Sequence, residues 1–148
     1  METMNTTGAG LNMDHSQRAV VETAALEWEA SPASGVWRKK LERENAESGQ
    51  VTSVVRYAPG SRFSAHSHPM GEEIFVLSGV FADDAGEYPA GTYLRNPPGS
   101  RHAPFSEEGC ELLVKLDQFD PDDRERVCIR TAESAWLPGL VDGLTVLP

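Results

Sequence analysis

Four side chains in this sequence have the types and spacing to hold a metal ion: His66, His68, Glu72 and His102. Side chains of an extended strand return to the same face every second residue, so His66 and His68 present both imidazoles to one side. Pro69-Met70-Gly71 lets the chain bend, and Glu72-Glu73 follows at the start of an apolar run. Neighbouring strand residues point to opposite faces, so only one of these carboxylates turns inward; the interval to Gly79 favours Glu72 over Glu73. His102 must come from a distant strand, and the turn Pro97-Pro98-Gly99 stands just ahead of it. Three imidazoles and one carboxylate suit one divalent transition ion, zinc or iron, with manganese, nickel or copper also served; they do not suit calcium or magnesium. The fourth histidine, His15, lies in a polar N-terminal stretch and has no expected role.

Such ligands need short strands to carry them. Glycine and proline number 13 and 10 and recur at short intervals, as at Pro59-Gly60, Gly71, Gly79, Gly86, Gly91 and Gly109. This leaves no room for a long helix between about residue 50 and residue 120. Between the breakers, Val51 to Tyr57, Ile74 to Phe81, Thr92 to Arg95 and Leu112 to Leu116 alternate or are rich in β-branched and aromatic residues. The pattern predicts an all-β fold, a sandwich or barrel. Glu72, Ile74 and Val76 share the inward face; Glu73, Phe75 and Leu77 share the other, which is apolar too and is expected to be covered. Upstream, strands are predicted around Ala19–Thr23 and from Val36, with the charged Lys39–Glu47 stretch read as a solvated strand. Tyr93 and Arg95, two apart on one strand, are candidate acid/base groups beside the metal.

The chain of 148 residues suggests one domain with extensions: a disordered lead over 1–16, a metal-binding domain over 17–120 and a C-terminal extension over 121–148. Thirteen basic residues against 23 acidic ones give a formal net charge of −10, which argues against nucleic acid and against an anionic membrane face as partners. No apolar run approaches the ~18 residues of a membrane helix, and no secretory signal pattern is visible. Cys110 and Cys128 form no metal-ligand spacing and are expected as two buried free thiols of a cytoplasmic protein. Val21-Glu22-Thr23-Ala24, Trp28 and Gly35-Val36 are echoed by Ile129-Arg130-Thr131-Ala132, Trp136 and Gly143-Leu144 at a constant offset of 108. The extension carries Ile129, Trp136, Leu137, Leu140, Val141, Leu144, Val146 and Leu147, too apolar to lie free in water. It is expected to pack on its own barrel or on a dimer mate, with Phe75 and Leu77 as one dock.

In full, the two histidine segments read Gly60-x5-His66-x-His68-x3-Glu72-x6-Gly79 and Gly91-x5-Pro97-x-Gly99-x2-His102. They resemble the two motifs of the cupin superfamily, departing only at Ser106, where asparagine is usual. The stretch from His68 to Pro104 is similar to ChrR-like cupins, which form the C-terminal domain of a zinc-dependent anti-sigma factor and also occur alone. Acetylacetone-cleaving dioxygenases, which hold iron on three histidines, are a further resemblance. The resemblance implies a double-stranded β-helix, the RmlC-like jelly-roll barrel, with His66, His68, Glu72 and His102 on one metal. It implies a homodimer with a small-molecule ligand, acting as a dioxygenase-like enzyme or as a sensing module without catalysis. The helical zinc module of the full anti-sigma factor has no counterpart in this sequence.

Overall fold

Breakers cut the chain into fourteen strands among residues 10–147, which the computed structural model describes. They are β1 (Glu29–Ala30), β2 (Val36–Arg43), β3 (Val51–Tyr57), β4 (Ser61–Arg62), β5 (His66–Ser67), β6 (Glu72–Asp83) and β7 (Gly86–Pro89). Then follow β8 (Thr92–Asn96), β9 (Arg101–His102), β10 (Phe105–Ser106), β11 (Cys110–Leu116), β12 (Val127–Arg130), β13 (Leu137–Pro138) and β14 (Thr145–Val146). All pairings are antiparallel, and the fold is the all-β jelly-roll barrel. The main path runs β1-β2-β3-β11-β6-β10-β4, with β7 and β8 also on β6 and β12 on β8. The short pair β5-β9 carries two of the histidines.

The long strand β6 organises the barrel. Its first six residues alternate buried and half-buried or exposed: Glu72, Ile74 and Val76 turn inward, while Glu73, Phe75 and Leu77 turn outward. Ile74 and Val76 meet Val36, Tyr57, Phe81, Leu94, Leu112 and Val114 in the core. Burying each aliphatic side chain contributes about 1.5–3 kcal/mol. Gly79 allows β6 to run tight against β11: its φ is +71°, and a Cβ there would collide with the carbonyl of Gly109.

Several sequence expectations change. Ala19–Thr23 is not a strand, because no strand among the described residues lies beside it; the chain enters a 3₁₀ turn at Thr23–Ala25 instead. Residues 1–9 of the expected disordered lead lie outside the described residues. Gly10 to Ser16 are placed on β2, with Leu11 bridging Arg43 and His15 set 2.8 Å from Glu42. Cys110 is buried, but Cys128 is exposed because β12 is an edge strand. Leu77 is left 46% exposed, since β12 extends the sheet at β8 rather than lying over the outer face of β6.

The internal repeat is a repeat of structure. Thr131–Glu133 forms a 3₁₀ turn like Thr23–Ala25. In the first copy Glu29 pairs with Arg38 and Ala30 with Trp37; in the second, Leu137 pairs with Val146 and Pro138 with Thr145, the same register at the same offset. The backbone bond from Ser31 N–H to the Val36 carbonyl (3.0 Å) recurs from Gly139 to Leu144 (2.7 Å). Gly35 and Gly143 both adopt positive φ, +76° and +82°. The copies differ in burial: Val36 sits in the core at 3% exposure, whereas its counterpart Leu144 is 53% exposed.

Candidate metal centre

Strand register brings the histidines together. His66 on β5 is the direct partner of His102 on β9. His68 follows on the same face as His66, and their ring centroids are 4.9 Å apart, with His66 and His102 at 5.0 Å. One ring nitrogen from each of the three lies within 4.8 Å of the other two, so this cluster can hold a metal ion. The turn after His68 closes with the Gly71 N–H on the His68 carbonyl at 3.2 Å, and Glu72 then begins β6. Its carboxylate oxygens stand 3.4 Å from His68 Nε2 and 3.3 Å from His102 Nε2. Glu72 therefore touches two of the imidazoles but stands outside the tight three-histidine set. Glu73 faces the other way and accepts a hydrogen bond from the Tyr93 hydroxyl at 2.6 Å.

The ring nitrogens are arranged for coordination. The Ser64 carbonyl can only accept, so His66 donates from Nδ1 at 2.8 Å, which leaves Nε2 as its atom for a metal. His68 Nε2 and both ring nitrogens of His102 are buried without a hydrogen-bond partner. Buried polar atoms are normally satisfied, and an ion at the cluster would satisfy these. Asp83 stands 3.7 Å from His102 Nδ1, too far for a hydrogen bond. Burial, with repulsion from the other two histidines, pushes His68 down to about 4. Burial and His66 lower His102 as well. Both are thus held neutral, the form that binds metal. Burial raises Glu72 to about 7, against the opposing hydrogen bond from Asn96.

Tyr93 and Arg95 are not beside the cluster. The buried residues of β8 are Thr92, Leu94 and Asn96, which puts Tyr93 and Arg95 on the outer face. Arg95 binds Asp123 in a two-pronged ion pair and lies over the Phe119 ring at 4.2 Å. The inward residue is Asn96, which pairs with Glu72 across the strands and donates to its carboxylate at 3.2 Å. Its position two residues beyond Leu94 was the available signal. Ser106, at the position where asparagine was expected, is fully buried and donates to the Val80 carbonyl at 2.6 Å.

The centre opens on a cavity of about 250 Å³ inside the barrel. Tyr57, Phe63, Ile74, Leu112 and Val114 give it apolar walls, and His66, His68 and Glu72 line it as well. Sequence reasoning missed three further lining residues, Arg38, Arg43 and Ser53. A bulge explains one of them. Lys40 faces Ser53 and Glu42 faces Thr52, so Leu41 is extra, and the shift turns Arg43 to the inner side opposite Val51.

The family model described as the ChrR Cupin-like domain matches residues 16–120. Among curated proteins, none matches this chain. Among solved structures, the complex of Rhodobacter sphaeroides SigE with the anti-sigma ChrR is similar at 21% identity and TM-score 0.54, over 65% of this chain and 52% of that one. A putative acetylacetone dioxygenase from Methylibium petroleiphilum is similar at 21% identity and TM-score 0.61, over 79% of this chain and 92% of that one. A putative dioxygenase from Nostoc punctiforme gives 16% identity and TM-score 0.67, over 82% and 51%. This chain therefore spans about half the length of the first and third. At these identities the likeness shows the fold alone.

Proposed function

This chain belongs to the ChrR Cupin-like family, and we propose that it is a single-domain, mononuclear metal-dependent enzyme of dioxygenase type acting on a small oxygen-bearing molecule. The observation that carries this reading is the convergence of His66, His68 and His102, of which His66 and His68 line an apolar cavity. Glu72 is the proposed fourth ligand, because its carboxylate already meets two of the imidazoles. Zinc or iron fits the donor set best, and manganese or nickel fits it too. A divalent transition ion held there supplies Lewis-acid polarisation of a substrate oxygen. The chain's own residues do the rest. Ser64 fixes the His66 tautomer, Asn96 orients Glu72, and the apolar walls exclude water from the bound molecule.

A second reading follows from the family itself: a metal-binding sensing module without catalysis, as the match to a ChrR Cupin-like domain suggests. In either reading we take the protein to be cytoplasmic and a homodimer, the latter because Trp136, Leu140, Val141 and Leu144 leave apolar surface exposed. The readings separate by experiment. Protein from iron-supplemented medium is analysed for metal, then assayed for oxygen uptake with a panel of β-diketones. Uptake that is lost in His66→Ala and His102→Ala, with circular dichroism unchanged, supports the enzyme. Bound metal with no uptake across the panel supports the sensor. Glu72→Gln should weaken metal retention and Glu73→Gln should not; equal effects would remove Glu72 from the ligand set.

A further inference from the structure

The barrel interior carries a cation that the metal centre does not use. Arg43 is only 7% exposed, and among the described residues no carboxylate lies in ion-pair contact with it. One Nη donates to the Ala46 carbonyl at 2.6 Å, and its Nε is buried with no partner. Its neighbour Arg38 differs, because Glu47 pairs with it through two hydrogen bonds at 3.1 and 2.6 Å, whereas Glu47 and Glu29 act on Arg43 only without contact. Ser53, 2% exposed, lines the same cavity with an unpartnered hydroxyl. A buried charge and a buried hydroxyl are disfavoured unless something pairs with them. The bulge at Leu41 is what turns Arg43 inward, and a bulge that re-aims one side chain is a common feature beside binding sites.

The register locates this pair relative to the metal centre. Glu72, Leu116, Val51 and Arg43 form one row across β6, β11, β3 and β2. Three strand spacings of about 4.8 Å separate the row's ends, so Arg43 and Glu72 stand at two ends of one stretch of the wall that lines the cavity. Apolar side chains fill the wall between them. The volume of about 250 Å³ is that of roughly eight waters at about 30 Å³ each, room for a ligand of on the order of ten non-hydrogen atoms.

We infer that Arg43 and Ser53 form an anion subsite, and that the molecule bound in the barrel is a small organic carboxylate with an apolar body. The Arg43 guanidinium and the Ser53 hydroxyl donate to the carboxylate oxygens, and the body lies along the apolar wall toward the histidines. Charge-assisted donors of this kind discriminate strongly between a carboxylate and its neutral isostere. This deepens the reading of the cavity as the ligand chamber and rests on it.

Calorimetric titration of the full chain with hexanoate and with hexanamide, in zinc-loaded and in metal-free protein, tests the inference. Hexanoate should bind at least tenfold more tightly than hexanamide in both forms. Arg43→Gln should abolish that preference, Arg43→Lys should keep part of it, and Ser53→Ala should weaken hexanoate severalfold. The absorption spectrum of bound cobalt(II) should be the same in Arg43→Gln as in the unaltered protein. Equal binding of acid and amide overturns the inference, as does tight hexanoate binding by folded Arg43→Gln. Hexanoate affinity that falls on metal removal but not on loss of Arg43 places the carboxylate on the metal; the subsite then fails while the metal centre stands. If cobalt does not bind at all, the metal reading fails, and the acid–amide comparison still decides the subsite. Should Arg43→Gln not fold, Ser53→Ala and that comparison carry the decision.

Discussion

Without a metal ion, the imidazoles and Glu72 respond to acid in opposite directions. His68 is pushed down to about 4 and His102 is lowered, so as pH falls through 6.5 the unfolded chain takes up these protons first. Their contribution is present above pH 6.5 and is lost from there toward pH 4. Glu72 is raised from 4.5 to about 7, so its contribution is present below pH 4.5 and is lost as pH rises through 7. Between pH 4.5 and 6.5 the His68 and Glu72 contributions are about equal and opposite, and the lowered His102 tips the balance, so the metal-free protein should gain stability as pH rises. The His68 shift alone corresponds to about 3 kcal/mol. Thermal unfolding of chelator-treated protein should give a higher Tm near pH 6.5 than near pH 5, with a flatter dependence in His68→Gln. An equal or reversed order would show that the buried Glu72 carboxyl offsets both imidazoles. The two cysteines give a separate check. Cys128 is exposed, whereas burial lifts the Cys110 thiol to about 11. An aromatic disulfide reagent should therefore titrate one thiol per native chain and two after denaturation. Two fast thiols in the native protein would place Cys110 outside the core.

The turn between His68 and Glu72 sets the spacing of the ligands. Met70 N–H donates to the Asp117 carboxylate at 2.9 Å, and the Phe119 N–H donates to the Met70 carbonyl at 3.1 Å, so the turn is pinned to the segment after β11. Gly71 has φ +82°, and a Cβ there would lie 2.5 Å from the Phe119 ring. Gly99 has a similar φ, +84°, with nothing within 4 Å. Gly99→Ala should therefore lose only the backbone cost of about 1–2 kcal/mol. Gly71→Ala should lose more than that and should also weaken metal retention, because Phe119 and Glu72 must move. Equal Tm losses would show that the Phe119 contact is loose. The same segment shows what the sequence could reveal. His66, His68, Glu72 and the inward face of β6 were legible because alternation converts directly into facing. Tyr93 and Arg95 share one parity of β8, but Leu94 and Asn96 show that the other parity is the buried one. Arg43 was hidden for another reason. A bulge breaks the two-residue period, and the extra residue, Leu41, is recognisable only from its pairing with β3.

At the scale of the whole molecule, the repeat gives the extension a definite role. β12 covers the β8 edge, pairing Val127 with Arg95 through to Arg130 with Thr92. Deleting residues 127–148 would leave that edge with free N–H and carbonyl groups, a template for another strand. The chain holds a candidate: Ala19-Val20-Val21-Glu22 occupies the place of Val127-Cys128-Ile129-Arg130 in the first copy of the repeat. Val20 is 75% exposed, and this stretch has no strand partner among the described residues. In the shortened chain, residues 19–22 of one molecule should add to β8 of another. Gel filtration should then show a higher subunit number than the full chain gives, and Val21→Pro should reverse it by removing a ladder donor. Cobalt binding should persist, because His66 and His102 sit on β5 and β9 and His68 directly follows β5, away from the opened edge. A shortened protein that elutes at the subunit number of the full chain would show that β12 protects nothing and that the likeness of the two segments has no bearing on assembly.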